Sequence, residues 1–244
     1  MSGLYHFLYI PFGINTAPAV FARLMRTVLG DVKNVYHYFD DVVITTDTWQ
    51  DNMETLKTDF ARIKRAHLTM IPSKCEIGER SIYFLGHRIG NGRVEPLLKT
   101  LDNILGAKRP TTKKVMQSFL GLTGYYRTFI SHSAEITKPL TDLIRKGQPK
   151  AISWQPVHEH AFTVLKANLS ETPILQAPDL SKTFVLCTDA SIISLGAVLL
   201  QTGSNSILHL VAYASRNLLP QETRYSTIER DSYLCVWQTF HHPI

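Results

Sequence analysis

Two aspartates stand side by side at Asp40-Asp41, inside the run Val35-Tyr36-His37-Tyr38-Phe39-Asp40-Asp41-Val42-Val43-Ile44. Adjacent carboxylates between apolar, β-branched stretches have two readings. The plain one is a turn, because Asp accepts turn geometry readily. The chemical one is phosphoryl transfer: two divalent cations roughly 4 Å apart need carboxylate ligands on a rigid support, and they stabilise the attacking and leaving oxygens. A tight hairpin supplies rigidity but not a whole site. Neighbouring strand residues point to opposite faces, so a carboxylate from another strand is expected to complete the pocket. The ten histidines show no metal-ligand spacing with the cysteines, which argues against zinc.

The elements that must carry this pair are readable from periodicity. Thr16-Ala17-Pro18 has the form of a capped helix start; Phe21, Leu24, Met25 and Val28 keep helical spacing, and Gly30 is a stop. The run 35–44 reads as a hairpin with both carboxylates at its turn. Trp49, Met53, Leu56, Phe60 and Ile63 then step by four and three, one apolar stripe on a long helix. Lys74 to Phe84 is short-stranded. Thr111-Thr112 can cap a helix bearing Val115, Phe119, Leu122, Tyr126 and Phe129. Pro149, Pro156, Pro173 and Pro178 punctuate a tether with a helix-like run near Ala161 to Leu169. Strands follow at 183–188, 196–201 and 209–214, and a last helix at about 227–240.

Charge is unevenly distributed. Residues 1–95 carry 11 Lys+Arg against 10 Asp+Glu, residues 96–150 carry 10 against 3, and residues 151–244 carry 5 against 7. The whole basic excess of the chain, +6, therefore arises in the middle segment. A solvated helical face explains such a run, and so does contact with phosphates, where clustered Lys and Arg displace counterions. Charge alone does not choose. No stretch approaches the roughly 18 apolar residues of a membrane span, and the N-terminus has no secretory pattern. Three widely spaced cysteines (Cys75, Cys187, Cys235) give no disulfide framework and suit a reducing interior.

Read in order, Tyr5-His6-Phe7, Pro11-Phe12-Gly13, Asn15-Thr16-Ala17-Pro18-Ala19-Val20-Phe21, Leu24-Met25, Tyr38-Phe39-Asp40-Asp41, Lys74-Cys75, Phe84-Leu85-Gly86-His87, Phe119-Leu120-Gly121-Leu122, Tyr125-Tyr126-Arg127 and Thr188-Asp189-Ala190-Ser191 resemble the gypsy-type long-terminal-repeat retrotransposon polymerase. Single motifs are weak; their order over nearly the full chain is specific. The resemblance implies an α+β fold: a partial reverse-transcriptase palm over 1–95, a basic helical thumb over 96–150, a connector over 151–180, and the first part of an RNase H-like mixed sheet over 181–244. It implies that Asp40 and Asp41 are polymerase metal ligands for Mg²⁺ (or Mn²⁺). It puts Pro11, Phe12 and Gly13 under nucleotide and template, and Phe84, Leu85, Gly86 and His87 at the primer end. Lys108, Arg109, Lys113, Lys114, Tyr125 and Arg127 then fall on the surface that holds template–primer. Tyr125-Tyr126 has a stacking reading beside a packing one, with Tyr126 read as thumb core. Gly121 and Gly124 allow close approach of a helix or a phosphate backbone.

In the last domain the resemblance makes Asp189 the first RNase H carboxylate and expects Glu-x-Glu on the final helix, where this chain has Glu229-Arg230-Asp231. Residues two apart on a helix lie about 200° apart, so one of the two can face Asp189. Asp231 precedes Leu234 and Cys235 by three and four on the inward stripe and is the favoured ligand with Asp189, with Glu229 the alternative catalytic carboxylate. Ser226-x-x-Glu229 has the form of a capping box. The shorter Asp for Glu puts cleavage efficiency in question. Further carboxylates of both sites are expected outside this span, so each site reads as half present. The expected function is that of a fragment of an RNA-directed DNA polymerase with RNase H, acting on template–primer and deoxynucleotides beside other parts of a Pol polyprotein. The expected compartment is the cytoplasm (in a virus-like particle) or the nucleus. The competing reading is a non-catalytic retroelement remnant or a host-recruited nucleic-acid-binding protein.

Overall fold

Helix α1 (Ala17–Leu29) starts with Pro18 in its first turn, where a missing N–H costs nothing. The expected Thr16 cap does not form. Thr16 is itself in a right-handed helical conformation (φ −87°, ψ −10°), and its side chain makes no capping bond. Strands β1 (Val35–Tyr38) and β2 (Asp41–Ile44) pair antiparallel, with Val35 opposite Ile44 and Tyr38 opposite Asp41. Helix α2 (Trp49–Arg65) is capped by Thr48, whose hydroxyl accepts the Asp51 amide at 3.1 Å. Met25, Leu29, Val35 and Ile63 form the core of this part, with Val42 and Ile44 packed against it. Arg62 ties α2 to the end of α1 by donating to the Val28 carbonyl at 3.1 Å and to the carboxylate of Asp31. A 3-10 turn (Pro72–Lys74) and strand β3 (Ser81–Phe84) follow.

The computed structural model describes residues 10–11, 13–203, 206–226 and 229–230. It divides after Phe84 into two compact units, 1–84 and 85–244. The division falls inside the Phe84-Leu85-Gly86-His87 motif rather than near 95. The reason lies in two further strands, β4 (His87–Gly90) and β5 (Arg93–Pro96), joined by an Asn-Gly hairpin turn. They pair antiparallel around Asn91-Gly92, both at positive φ as a tight type I′ hairpin requires. β5 also pairs with β6 (Leu175–Gln176), so both strands belong to the second unit.

The second unit continues with α3 (Leu98–Leu105), α4 (Lys113–Tyr125), a 3-10 turn (Arg127–Phe129), α5 (Ser133–Asp142) and α6 (Pro156–Ser170). Thr112 caps α4 as expected. The helix ends at Tyr125, so Phe129 lies on the 3-10 turn beyond it. The region 151–180 is no loose tether: Ala161, Phe162, Leu165 and Leu169 of α6 are buried in one core with Ile104, Met116, Phe119, Tyr126, Phe129 and Leu140. Trp154 Nε1 donates to the Pro110 carbonyl at 2.7 Å, and Lys166 Nζ donates to that of Ala107 at 3.0 Å. Strands β7 (Phe184–Ala190), β8 (Ser194–Thr202) and β9 (Leu208–Asn217) form an antiparallel sheet in that order. The mixture of helices and antiparallel sheets is the α+β class expected. Of the last helix, residues 229 and 230 are described. Among the described residues no helix is long and apolar enough to cross a membrane.

The stripe expected on α2 is displaced. Trp49 and Phe60 are exposed, and the inward line runs Leu56, Asp59, Ile63. Asp59 is 2% exposed, and its buried Oδ1 has no hydrogen-bond partner. Burial therefore raises its pKa above the ordinary carboxylate value. The folded state holds the proton more tightly than the unfolded chain. That contribution is complete below the unfolded value of 3.8 and is lost as pH rises through the raised folded value. Asp59→Leu is expected to stabilise the first unit by about 1–3 kcal/mol at neutral pH, the cost of an unsatisfied buried polar group. Denaturant unfolding from pH 4 to 8 checks this: the acid-side advantage disappears in the variant.

Candidate functional site

In the first unit, alternation along the hairpin decides which residues face out. Val35 packs inward on α1, while Tyr36 and Tyr38 are exposed, opposite Val43 and Asp41. Asp41 thus shares an open face with two tyrosines. Asp40 occupies the two-residue turn Phe39-Asp40, whose first residue has φ +51°. Positive φ at the first central position is the type II′ pattern, which favours Gly. A bulky residue there is strained, at a cost of about 1–3 kcal/mol, and the Phe39 ring packs edge-on against Tyr38 at 4.8 Å. The turn is tight, and both carboxylates are exposed. Their hard oxygens fit Mg²⁺ or Mn²⁺ in chemistry. No group of three or more His, Cys, Asp or Glu suited to a metal occurs among the described residues, so Asp40-Asp41 is at most part of a ligand set. Of the other expected positions in this unit, Pro11 is half-buried, Gly13 is exposed at φ +84°, Phe84 ends β3, and Phe12 lies outside the described residues.

In the second unit, Asp189 is exposed near the end of β7, opposite Gly196 on β8. The hairpin loop behind it is closed by Ser191, whose hydroxyl accepts the Ser194 amide at 2.9 Å and the Ile193 amide at 3.2 Å. Sequence reasoning missed His132. This residue precedes α5 in a left-handed conformation (φ 52°, ψ 29°), and its Nδ1 lies 3.4 Å from where a Cβ on Gly196 would sit. With Cys187, Thr188 and Asp189, His132 lines a recess of about 100 Å³. A larger one of about 400 Å³, between Phe60 and Met70, holds none of the carboxylates considered. Spacing gives no sign of His132, because α5 reaches the sheet through tertiary contacts: the Ala134 amide donates to Ser215 Oγ at 2.9 Å and Ser194 Oγ to Glu135 at 3.0 Å.

Both bonds of the expected capping box form. The Ser226 amide donates to the Glu229 carboxylate at 2.7 Å, and the Glu229 amide to Ser226 Oγ at 3.3 Å. The Ser226 amide first, and then its hydroxyl, hold the Glu229 carboxyl below its ordinary pKa. Arg230 donates to the Ser191 carbonyl at 3.2 Å, bringing the start of the last helix to the Asp189 hairpin. Upstream, Glu222 is buried and accepts a two-pronged contact from Arg216 at 2.7 and 2.9 Å, with the Leu219 amide at 2.7 Å. Asp231 lies outside the described residues.

The basic residues divide. Arg109 pairs with Glu159 at 2.5 Å and stands over the Trp154 ring at 5.2 Å, and Lys113 donates to the Arg145 carbonyl at 2.7 Å. Both help hold the helical core. Lys108, Lys114 and Arg127 are exposed, with Arg127 also donating to the Gly124 carbonyl. Gly121 and Gly124 have open space where a Cβ would project.

Leu85, Gly86 and His87 meet the tyrosines at the end of α4. Tyr125 donates to the Leu85 carbonyl, and Tyr126 to that of Gly86 at 3.0 Å. His87 stacks on Tyr125 at 5.3 Å and on Phe129 at 5.7 Å. Its Nδ1 is 2.8 Å from the Leu85 carbonyl oxygen, which can only accept, so Nδ1 carries a proton. Burial pushes the imidazole below its ordinary value of 6.5, against an upward pull from the Leu85 carbonyl. The unfolded chain therefore takes up its proton first. This contribution is complete above pH 6.5 and is lost as pH falls through the lowered folded value. His87→Phe is expected to flatten that acid-side loss while weakening the loop through loss of the Nδ1 bond. Unfolding midpoints measured between pH 4 and 8 check it, and an unchanged slope contradicts it.

Comparison with known proteins identifies the family. Residues 2–89 match the family described as reverse transcriptase (RNA-dependent DNA polymerase), and residues 154–242 match the RNase H-like domain found in reverse transcriptase. The second match begins ahead of the 181 boundary and includes α6. The chain is 38% identical over 245 residues to the retrovirus-related Pol polyprotein from transposon 297 of Drosophila melanogaster, covering 99% of this chain and 23% of that protein. It is 31% identical over 231 residues to the transposon Tf2-3 polyprotein of Schizosaccharomyces pombe, covering 94% and 17%. It thus spans less than a quarter of these relatives. The fold is similar to that of the foamy viral protease-reverse transcriptase solved with dsDNA and with RNA/DNA hybrid. Both have a TM-score of 0.82 at 23% identity and cover 95% of this chain, against 49% and 31% of those chains. The chain belongs to the reverse transcriptase–RNase H family of long-terminal-repeat retrotransposon Pol polyproteins.

Proposed function

We propose that the chain contributes part of the catalytic and duplex-holding machinery of an RNA-directed DNA polymerase with RNase H, acting on an RNA or DNA template–primer and deoxynucleotides. The observation that carries this reading is the Tyr38-Phe39-Asp40-Asp41 turn. Its strained Phe39 and tight pairing hold two carboxylates at the tip and open face of a hairpin. Asp40 and Asp41 would hold Mg²⁺ (or Mn²⁺), which when bound neutralises charge on the attacking and leaving oxygens. On the RNase H side, Asp189 supplies a carboxylate on a closed hairpin. Glu229 serves as the helix cap, and Asp231 is the proposed second RNase H carboxylate. The family membership and the nucleic-acid complexes of the foamy viral enzyme support duplex binding. Its compartment would be the cytoplasm, in a virus-like particle, or the nucleus.

Asp40→Asn and Asp41→Asn, placed in a Pol protein of the relatives' length, are each expected to lower primer extension by ~10³-fold, the loss of several kcal/mol of charge stabilisation. Undiminished extension in either variant removes the polymerase assignment.

Duplex binding by the second unit runs through Lys108, Lys114 and Arg127 in this reading, with Arg109 and Lys113 committed to the fold. Removing the charges of Lys108 and Lys114 is expected to reduce the salt slope of hybrid binding by about 1–2 without changing the unfolding midpoint. Removing those of Arg109 and Lys113 shifts the midpoint instead. Equal slopes for wild type and the first variant would contradict the assignment.

A further inference from the structure

The loop at Leu85-Gly86-His87 is held by more than its own hairpin geometry. Leu85 and Gly86 both have positive φ, 45° and 69°. For Leu this is an uncommon, costly conformation that the surroundings must enforce. They do so through the two loop carbonyls, each of which receives two donors. The Leu85 oxygen takes the Tyr125 hydroxyl and His87 Nδ1. The Gly86 oxygen takes the Tyr126 hydroxyl at 3.0 Å and the Leu97 amide at 3.2 Å. Both lone pairs of each carbonyl are thereby used.

One of the two tyrosine donors is anchored in the core, the other on the surface. Tyr126, 1% exposed, lies in the core among Phe119, Phe129 and Leu140, so its hydroxyl is aimed by close packing. Tyr125 is 48% exposed and lies flat against His87. A side chain at position 86 would be a tight fit: a Cβ on Gly86 would come within 3.1 Å of Tyr125 Cε1, so that the ring must give by a few tenths of an ångström. Glycine suits the position chiefly through its positive φ.

We infer that Tyr125 and Tyr126 are positioning residues that latch the 85–87 loop to the end of α4, so that loop and helix present one fixed surface to the 3′ end of a bound primer. The inference rests on the polymerase reading above, and it assigns the paired tyrosines a task other than stacking on bases. Free of the latch, the loop keeps its sequence and the basic helical surface keeps its charge. Duplex affinity therefore survives while registration of the primer end is lost.

The test uses the full chain and three variants: Tyr126→Phe, Tyr125→Phe/Tyr126→Phe, and Gly86→Ala. The last keeps both hydroxyls but pushes the Tyr125 ring aside, and it serves if the tyrosine variants fold poorly. Hydrogen exchange of the Leu97 amide is measured without nucleic acid. Binding of an RNA template–DNA primer carrying 2-aminopurine at the primer 3′ terminus is measured in parallel. Exchange is expected to rise about 2- to 12-fold for each hydroxyl removed. For Tyr126→Phe, whose ring is buried in the core, the dissociation constant should stay within about threefold, because the phosphate contacts that dominate affinity are untouched, and the 2-aminopurine response on binding should be lost. Unchanged exchange in all three variants overturns the latch whatever the nucleic acid does. Faster exchange with an undiminished 3′-end signal overturns its positioning role. A wild-type chain that binds no hybrid overturns the polymerase reading instead, while the exchange measurement still decides the latch.

Discussion

The second unit depends on burial of the apolar face of α6. Ala161, Phe162, Leu165 and Leu169 close a core that α3, α4 and α5 leave open on one side, with Phe162 against Phe119 at 4.8 Å. Truncating one such leucine costs about 2–5 kcal/mol, a large share of the roughly 5–15 kcal/mol that holds a domain together. The elements to which a function is proposed in this unit hang from that core. Tyr126 is one of its members and reaches the 85–87 loop. Phe129 is another and backs His87. The chain then runs through His132 to α5, which docks on the β8–β9 sheet through Ser194 and Ser215.

The two hairpins that carry aspartates solve one problem differently. A carboxylate that is to hold a cation must not swing with its backbone. At Asp40 the rigidity comes from a two-residue turn with strain stored at Phe39, offset by Val35, Val42 and Ile44 packing below. At Asp189 the turn is longer and unstrained, and Ser191 fixes it with side-chain hydrogen bonds to the amides that close the loop. Arg230 adds a third tie from the beginning of the last helix. In the first case packing compensates for geometry; in the second, polar groups replace packing.

Much of this is legible in the amino-acid order, and the losses have physical causes. Local signals survive well. The 35–44 hairpin, α1, α2 and the Thr112 cap form where hydrophobic period and turn chemistry put them, and the Ser226–Glu229 box closes as its spacing implies. Signals that need a distant partner do not survive. Asn91-Gly92 marks the β4–β5 hairpin locally, but nothing marks the pairing of β5 with Leu175 and Gln176, some eighty positions away. The proline-punctuated stretch reads as a tether because prolines mark boundaries, yet Pro156 simply starts α6, where proline is welcome. On α2 the apolar stripe turns by one position because Asp59 takes a place where period alone expects a hydrophobe. The Asp40-Asp41 pair and the 85–87 loop are visible from motif order; His132 is not, since nothing local marks it.

The basic segment shows why net charge cannot name its partner. Residues 96–150 carry seven more positive than negative charges, and the sequence treats all ten basic side chains alike. The fold does not. Arg109 lies against an indole and a carboxylate, and Lys113 anchors the Arg145 carbonyl just beyond α5. Lys138 and Arg145 both approach Asp142. An exposed ion pair of this kind contributes about 0–1 kcal/mol, so these contacts alone scarcely account for the excess. What they do is withdraw particular cations from the pool available to a phosphate backbone. The remaining charge, on Lys108, Lys114 and Arg127 among others, is set on the same helical body that holds the 85–87 loop. A duplex drawn in by that charge and a primer end registered by that loop would thus be referred to one rigid frame.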